Sequence, residues 1–131
     1  MKSHSLLLIC LASALTNPAA TGLAKNADGP IRVLFLGHDS EHHNSNEYYP
    51  MLSRALGRDA IYFDYVTSVE EALGDPAHLA KFDALLLYAN HGRIESHQWT
   101  NLKNYVENGG GFVPVHCASW CFGNEPGFDQ L

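Results

Sequence analysis

The chain alternates short, wholly apolar runs with stretches whose apolar residues recur at helical spacing. Ile31-Arg32-Val33-Leu34-Phe35-Leu36, closed by Gly37, predicts a first strand. Tyr48, Met51, Leu52, Ala55 and Leu56 fall at helical spacing, so residues 47–56 predict a helix stopped by Gly57. Residues 60–66 alternate Ile61, Phe63 and Tyr65 with Tyr62, Asp64 and Val66, the period of a second strand. Ser68 and Glu71 match a capping box for a short helix reaching Leu73. Asp83 to Tyr88 holds Ala-Leu-Leu-Leu-Tyr, a third buried strand. Ser96 is expected to cap a helix to Asn108 with Trp99, Leu102, Tyr105 and Val106 on its inner face. Gly109-Gly110-Gly111 ends that helix, and Phe112 to Val115 is a fourth strand.

Wholly apolar strands separated by helices imply a parallel sheet covered on both faces. Right-handed crossovers give an open, doubly wound α/β sheet; in a flavodoxin-like three-layer sandwich its strand order would be 2-1-3-4. Ligands of such sheets bind beyond the carboxyl ends of the strands. Three of those ends carry histidine: His38 after the first strand, His91 after the third and His116 after the fourth. Neighbouring strands lie about 4.8 Å apart, so the three imidazoles are expected to converge on one cavity. Three neutral imidazoles suit a divalent metal such as zinc with an open position for water. Without a metal, their near-neutral pKa suits proton transfer. Glu41, in the first loop, is a candidate general base or ligand; Asn44, Ser45 and Asn46 in the same loop are candidate caps for the following helix. Cys117 follows His116 at a strand-to-helix turn, where a nucleophile elbow sits, and is a candidate thiolate nucleophile. Its surroundings lack the usual flanking glycines, since Val115 precedes His116 and Ser119 replaces the second glycine. The two downstream thiols, Cys117 and Cys121, are read as free thiols, with a disulfide between them as the alternative.

Composition narrows the partners. The 131 residues are 46% hydrophobic and 17% charged, with net charge −6, which fits one globular domain. An acidic chain without a Lys/Arg cluster excludes nucleic acid and anionic membrane as expected partners. Residues 1–24 predict a cleaved signal peptide: Lys2 is positive, Leu6 to Leu15 form an apolar core, and Gly22-Leu23-Ala24 is a cleavage site. That core is too short to span a bilayer, so no membrane span is expected after its removal. Cys10 follows Leu-Ile and lacks the small residues of a lipoprotein signal. Export places the mature segment, residues 25–131, in the periplasm or outside the cell.

Three stretches together resemble a known family. Val-Leu-Phe-Leu-Gly-His-Asp-Ser-Glu-His-His at 33–43, Asp-Ala-Leu-Leu-Leu-Tyr-Ala-Asn-His at 83–91 and Gly-Gly-Gly-Phe-Val-Pro-Val-His-Cys-Ala-Ser at 109–119 resemble the ThuA-like, or trehalose-utilisation, domains. The resemblance covers residues 31–131 and implies the fold of class I glutamine amidotransferases. Such domains commonly lack the amidotransferase cysteine and carry histidine-centred residues at the elbow, where His116 stands here. They are associated with metabolism of sugars, including keto-sugar derivatives of disaccharides. The resemblance therefore implies a small carbohydrate ligand and a hydrolase, lyase or isomerase reaction. His38, His91 and His116 would act as acid/base or metal groups with Glu41 assisting, and Tyr48, Tyr88 and Trp120 are candidate sugar-stacking rings. The alternatives are an amidotransferase-like thiol hydrolase using Cys117 and a noncatalytic sugar-binding or scaffold module. Further partners expected are a second copy of the chain, or dehydrogenase-like and haem-binding modules. Family domains continue past the fourth strand, so a chain ending in the loop 128–131 reads as an incomplete domain.

Overall fold

The computed structural model describes residues 29–131, so the signal peptide expected at 1–24 lies outside the described residues. Four strands form one sheet: β1 (Ile31–Leu36), β2 (Ile61–Val66), β3 (Ala84–Leu87) and β4 (Gly111–Pro114). All pairings are parallel and the order is β2-β1-β3-β4, the flavodoxin-like arrangement expected from the crossovers. The register sets Val33 beside Phe63 and Ala84, and Leu87 beside Pro114. Between the strands run α1 (Ser45–Leu56), α2 (Val69–Leu73), α3 (Pro76–Leu79) and α4 (Ser96–Glu107). A 3-10 turn follows β4 at His116–Trp120.

Alternate residues of the central strands serve different layers. Leu34, Leu36, Leu85 and Leu87 join Leu73, Leu79 and Leu102 of α2, α3 and α4 in one apolar cluster, which Phe122 and Phe128 complete. Val33, Phe35 and Phe63 form the other cluster, covered by Tyr49, Leu52 and Leu56 of α1. Helices thus lie on both faces, and the continuous apolar runs reflect two-sided burial. Among the described residues no helix is long and apolar enough to cross a membrane.

Two details differ from the pattern-based expectation. The inner face of α1 is rotated: Leu52 and Leu56 pack inward as expected, but Tyr49 joins them in place of Tyr48 and Met51, which are exposed. Both sets have helical spacing, so the pattern could not choose between them. The rotation is fixed at the helix start, where buried Ser45 Oγ accepts the His38 N–H at 2.7 Å and donates to the His38 carbonyl at 3.0 Å. One turn on, Tyr49 stacks on Tyr65 with ring centroids 4.6 Å apart. Of the loop residues expected to cap this helix, Asn44 takes the N-cap position without a side-chain capping bond. The second difference is at α4, where Glu95 rather than Ser96 is the N-cap, its N–H donating to Gln98 Oε1 at 2.9 Å. Ser68 caps α2 as expected, accepting the Glu71 N–H at 3.4 Å.

Candidate functional site

The loops after β1, β3 and β4 meet at the carboxyl edge of the sheet, and backbone hydrogen bonds to side chains decide which histidines remain available there. His38 is nearly enclosed, at 9% exposure. Its Nδ1 accepts the Asn90 N–H at 3.2 Å, so the ring proton sits on Nε2 and is donated to the His43 carbonyl at 2.9 Å. With both nitrogens engaged, this imidazole ties the loop after β1 to the loop after β3. His91 donates from Nε2 to the Gly37 carbonyl at 2.9 Å, and its ring lies parallel to Phe122 at 6.5 Å. The His91 carbonyl accepts the Phe122 N–H at 2.7 Å. His38 and His91 are neighbours, with ring centroids 6.1 Å apart, and each bonds a backbone carbonyl through Nε2.

His116 is placed differently. It is exposed and adopts φ +53°, in the left-handed region. A non-glycine residue pays about 1–2 kcal/mol for that conformation, the strained backbone that a nucleophile elbow shows. The exposed residue at this turn is His116, and Cys117 after it is buried. His116 meets His43, which also lies in the left-handed region at φ +58°; their ring centroids are 4.5 Å apart. The Tyr88 ring stands 6.4 Å from each of them. Beneath them, buried Cys117 donates its S–H to the Ala89 carbonyl at 3.2 Å. Cys121 donates to the same oxygen at 3.1 Å, and both thiols are free.

A cavity of about 380 Å³ opens here, lined by His43, Asn90, His116, Cys117 and Trp120. A second cavity of about 380 Å³ lies at the opposite edge of the sheet, among Leu79, Phe82, Tyr105 and Gly110. The carboxyl-edge cavity is the one that combines imidazole, amide and thiol groups with an exposed ring. The donor atoms of His43, His116 and Cys117 all lie within 4.8 Å of one another, and no other trio of potential ligands among the described residues does so. The expected trio His38, His91 and His116 is therefore divided: His116 faces the cavity with His43, while His38 and His91 brace the loops. Glu41 is exposed on its loop and does not line the cavity. Of the rings named as sugar platforms, Trp120 lines the cavity at 80% exposure, whereas Tyr48 and Tyr88 pack against each other at 6.0 Å. His43 carries no signal of its own in the sequence, because nothing in Glu41-His42-His43 marks which imidazole turns inward; in the structure His43 has a left-handed backbone and lines the cavity.

The electrostatics separate these groups further. Burial pushes the Cys117 thiol up, outweighing a backbone hydrogen bond, so it stays protonated near neutrality. Burial likewise lifts Cys121 to about 11. Neither is a ready thiolate. The Tyr88 hydroxyl is pushed up, first by burial and then by Cys117 and Tyr48. His91 is pushed below the ordinary imidazole value of 6.5, chiefly by burial; the Gly37 carbonyl opposes this and His38 adds to it. A base whose pKa is depressed on folding binds its proton more readily in the unfolded chain. Its contribution to stability is intact above about pH 6.5 and is lost as the pH falls below that value toward the folded pKa. Urea midpoints measured between about pH 5 and pH 8 should therefore drop on the acid side, and His91→Asn should flatten the slope. Equal slopes for the two proteins would show that His91 titrates alike in both states.

Comparison with known proteins bears on the whole described region. The family model for trehalose utilisation, ThuA, matches residues 32–131. A ThuA-like protein from Bacteroides uniformis, known from a crystal structure, superposes with a TM-score of 0.59 at 20% identity. The match covers 74% of this chain and 40% of that one, so the chain spans less than half of its structural relative. At that identity the likeness concerns the fold. No curated protein matches the chain. With the family model covering strands, helices and cavity loops alike, the chain belongs to the ThuA, or trehalose utilisation, family.

Proposed function

We propose that this domain binds a small carbohydrate, of the disaccharide or keto-sugar type, in the carboxyl-edge cavity and processes it there. The observation that carries the reading is the composition of the cavity wall: the exposed ring of Trp120 beside the polar groups of His43, Asn90 and His116. An aromatic face covers the C–H surface of a sugar, while imidazole and amide groups bond its hydroxyls. The cavity volume of about 380 Å³ falls in the range of small-ligand sites, about 300–1,000 Å³. His116, held out by the strained turn, is the group best placed to exchange a proton with a hydroxyl or with a carbon next to a carbonyl. The thiol-hydrolase alternative is weaker because Cys117 is buried, protonated and directed at the Ala89 carbonyl.

Calorimetric titration with trehalose, other disaccharides and their keto derivatives tests the reading. Trp120→Ala is expected to weaken the best ligand about tenfold, the loss of about 1.4 kcal/mol of ring contact. Trp120 is highly exposed, so that variant keeps its fold. His116→Ala should abolish any turnover. Binding without turnover of any sugar would assign a carbohydrate-binding module instead of an enzyme. Failure of every sugar to bind the folded protein would end the reading.

A further inference from the structure

We infer that His43, His116 and Cys117 together bind a borderline-soft divalent metal ion of the zinc type. The inference concerns the same cavity as the carbohydrate reading, but it rests on the side-chain donors alone. Two imidazole nitrogens and one sulfur within 4.8 Å of one another form a donor set that favours zinc over magnesium or calcium, which prefer oxygen. Bond lengths of about 2.1 Å to nitrogen and about 2.3 Å to sulfur put tetrahedral ligands roughly 3.5 Å apart. The trio must contract by about 1 Å, and both imidazoles are exposed. Three protein ligands leave a fourth position open, as in a reactive rather than a structural zinc site.

Three features prepare the trio. His43 and His116 are two of the four non-glycine residues at positive φ among the described residues, and both strained positions stand at the point where the rings meet. The His43 carbonyl is held by the His38 ring, which makes His38 a positioning residue for the loop. The third feature is the pair of thiols on the Ala89 carbonyl. On binding, the Cys117 S–H bond breaks, its proton leaves to solvent, and the sulfur electron pair bonds the ion, with no change of oxidation state. Cys117 then abandons the Ala89 carbonyl, but Cys121 remains its donor. The step therefore leaves no buried acceptor without a partner, the usual obstacle to moving a buried hydrogen-bonded group. Two neutral imidazoles and one thiolate leave the site one net positive charge, and Asn90 and Trp120 line the same cavity.

The test uses the full chain, reduced and stripped with a chelator, then titrated with Co²⁺ as a spectroscopic stand-in for zinc. The expected result is one equivalent bound, intense visible bands of a tetrahedral ion, and a thiolate-to-cobalt charge-transfer band in the near ultraviolet. Zn²⁺ should displace the cobalt and bleach the spectrum. Cys117→Ser should remove the charge-transfer band, whereas Cys10→Ser and Cys121→Ser should keep it. His43→Ala and His116→Ala should each weaken binding by more than about 100-fold, beyond the 10–100-fold typical of an outer partner. Both side chains are exposed, so these variants fold even if Cys117→Ser does not. A folded, reduced protein that binds no cobalt, a band that follows Cys121 or Cys10, or affinity unmoved by both histidine variants would overturn the inference. No sugar is present in the titration, so its failure leaves the carbohydrate reading standing, and failure of the sugar titration leaves the metal site standing.

Discussion

Gly37→Ala is expected to lower stability by about 3 kcal/mol and the melting temperature by roughly 15 °C. The added methyl would meet the Tyr65 hydroxyl and Ser45 Oγ, both well inside 3.0 Å. Neither can withdraw. The Tyr65 ring is stacked on Tyr49 at 4.6 Å and stands edge-on to Phe35 at 5.1 Å. Its hydroxyl donates to Asn46 Oδ1 at 2.7 Å. Ser45 holds both backbone groups of His38, and moving it leaves buried donors and acceptors unpaired. The effect should also reach the cavity, because Ser45 and the His38 ring anchor the two ends of the loop that carries His43. Thermal and urea unfolding check the stability, and the cobalt titration at low temperature checks the loop. A melting temperature within a few degrees of the parent would show that the turn after β1 has room to spare.

Phe35→Ala is expected to cost about 4 kcal/mol, most of the margin of a domain whose total lies on the order of 5–15 kcal/mol. Phe35 is fully buried and packs edge-on against Tyr49, Phe63 and Tyr65 at 6.2, 6.1 and 5.1 Å. Deleting its ring opens a void that only α1 is placed to close, and α1 is pinned by Ser45. Met51→Ala is the contrast. Met51 is 59% exposed and should change stability by no more than about 0.5 kcal/mol. Urea denaturation of the two variants therefore tests which side of α1 faces the sheet. A large loss at Met51 with a small loss at Phe35 would restore the face expected from spacing alone.

Much of the fold was legible in the sequence because its causes are local. Four apolar runs bounded by Gly37, Gly57 and Gly109-Gly110-Gly111 become strands, since two-sided burial demands that composition whatever the detailed packing. Helical crossovers keep the strands parallel, and parallel strands bring the residues after β1, β3 and β4 to one edge. The three quoted motifs named the family, which the match over residues 32–131 shows. The rotation of α1 was not legible, because Tyr48, Met51 and Ala55 have the same period as Ser45, Tyr49, Leu52 and Leu56. That choice belongs to Ser45 and Tyr49, whose partners His38 and Tyr65 lie on other elements.

The division among the histidines was also a tertiary decision. An imidazole serves equally well as a buried hydrogen-bonding brace and as a reactive donor, and its place after a strand does not say which. His38 and His91 became braces because carbonyls of His43 and Gly37 fell within reach of their rings. His43 and His116 stay available because a left-handed backbone turns both toward Cys117. Sequence alone therefore determined the strand ends that supply the cavity, since apolar period and crossover hand are properties of each segment. Which side chains face the cavity was set only when the loops packed together, since hydrogen bonds between distant backbone groups select the φ values and rotamers there.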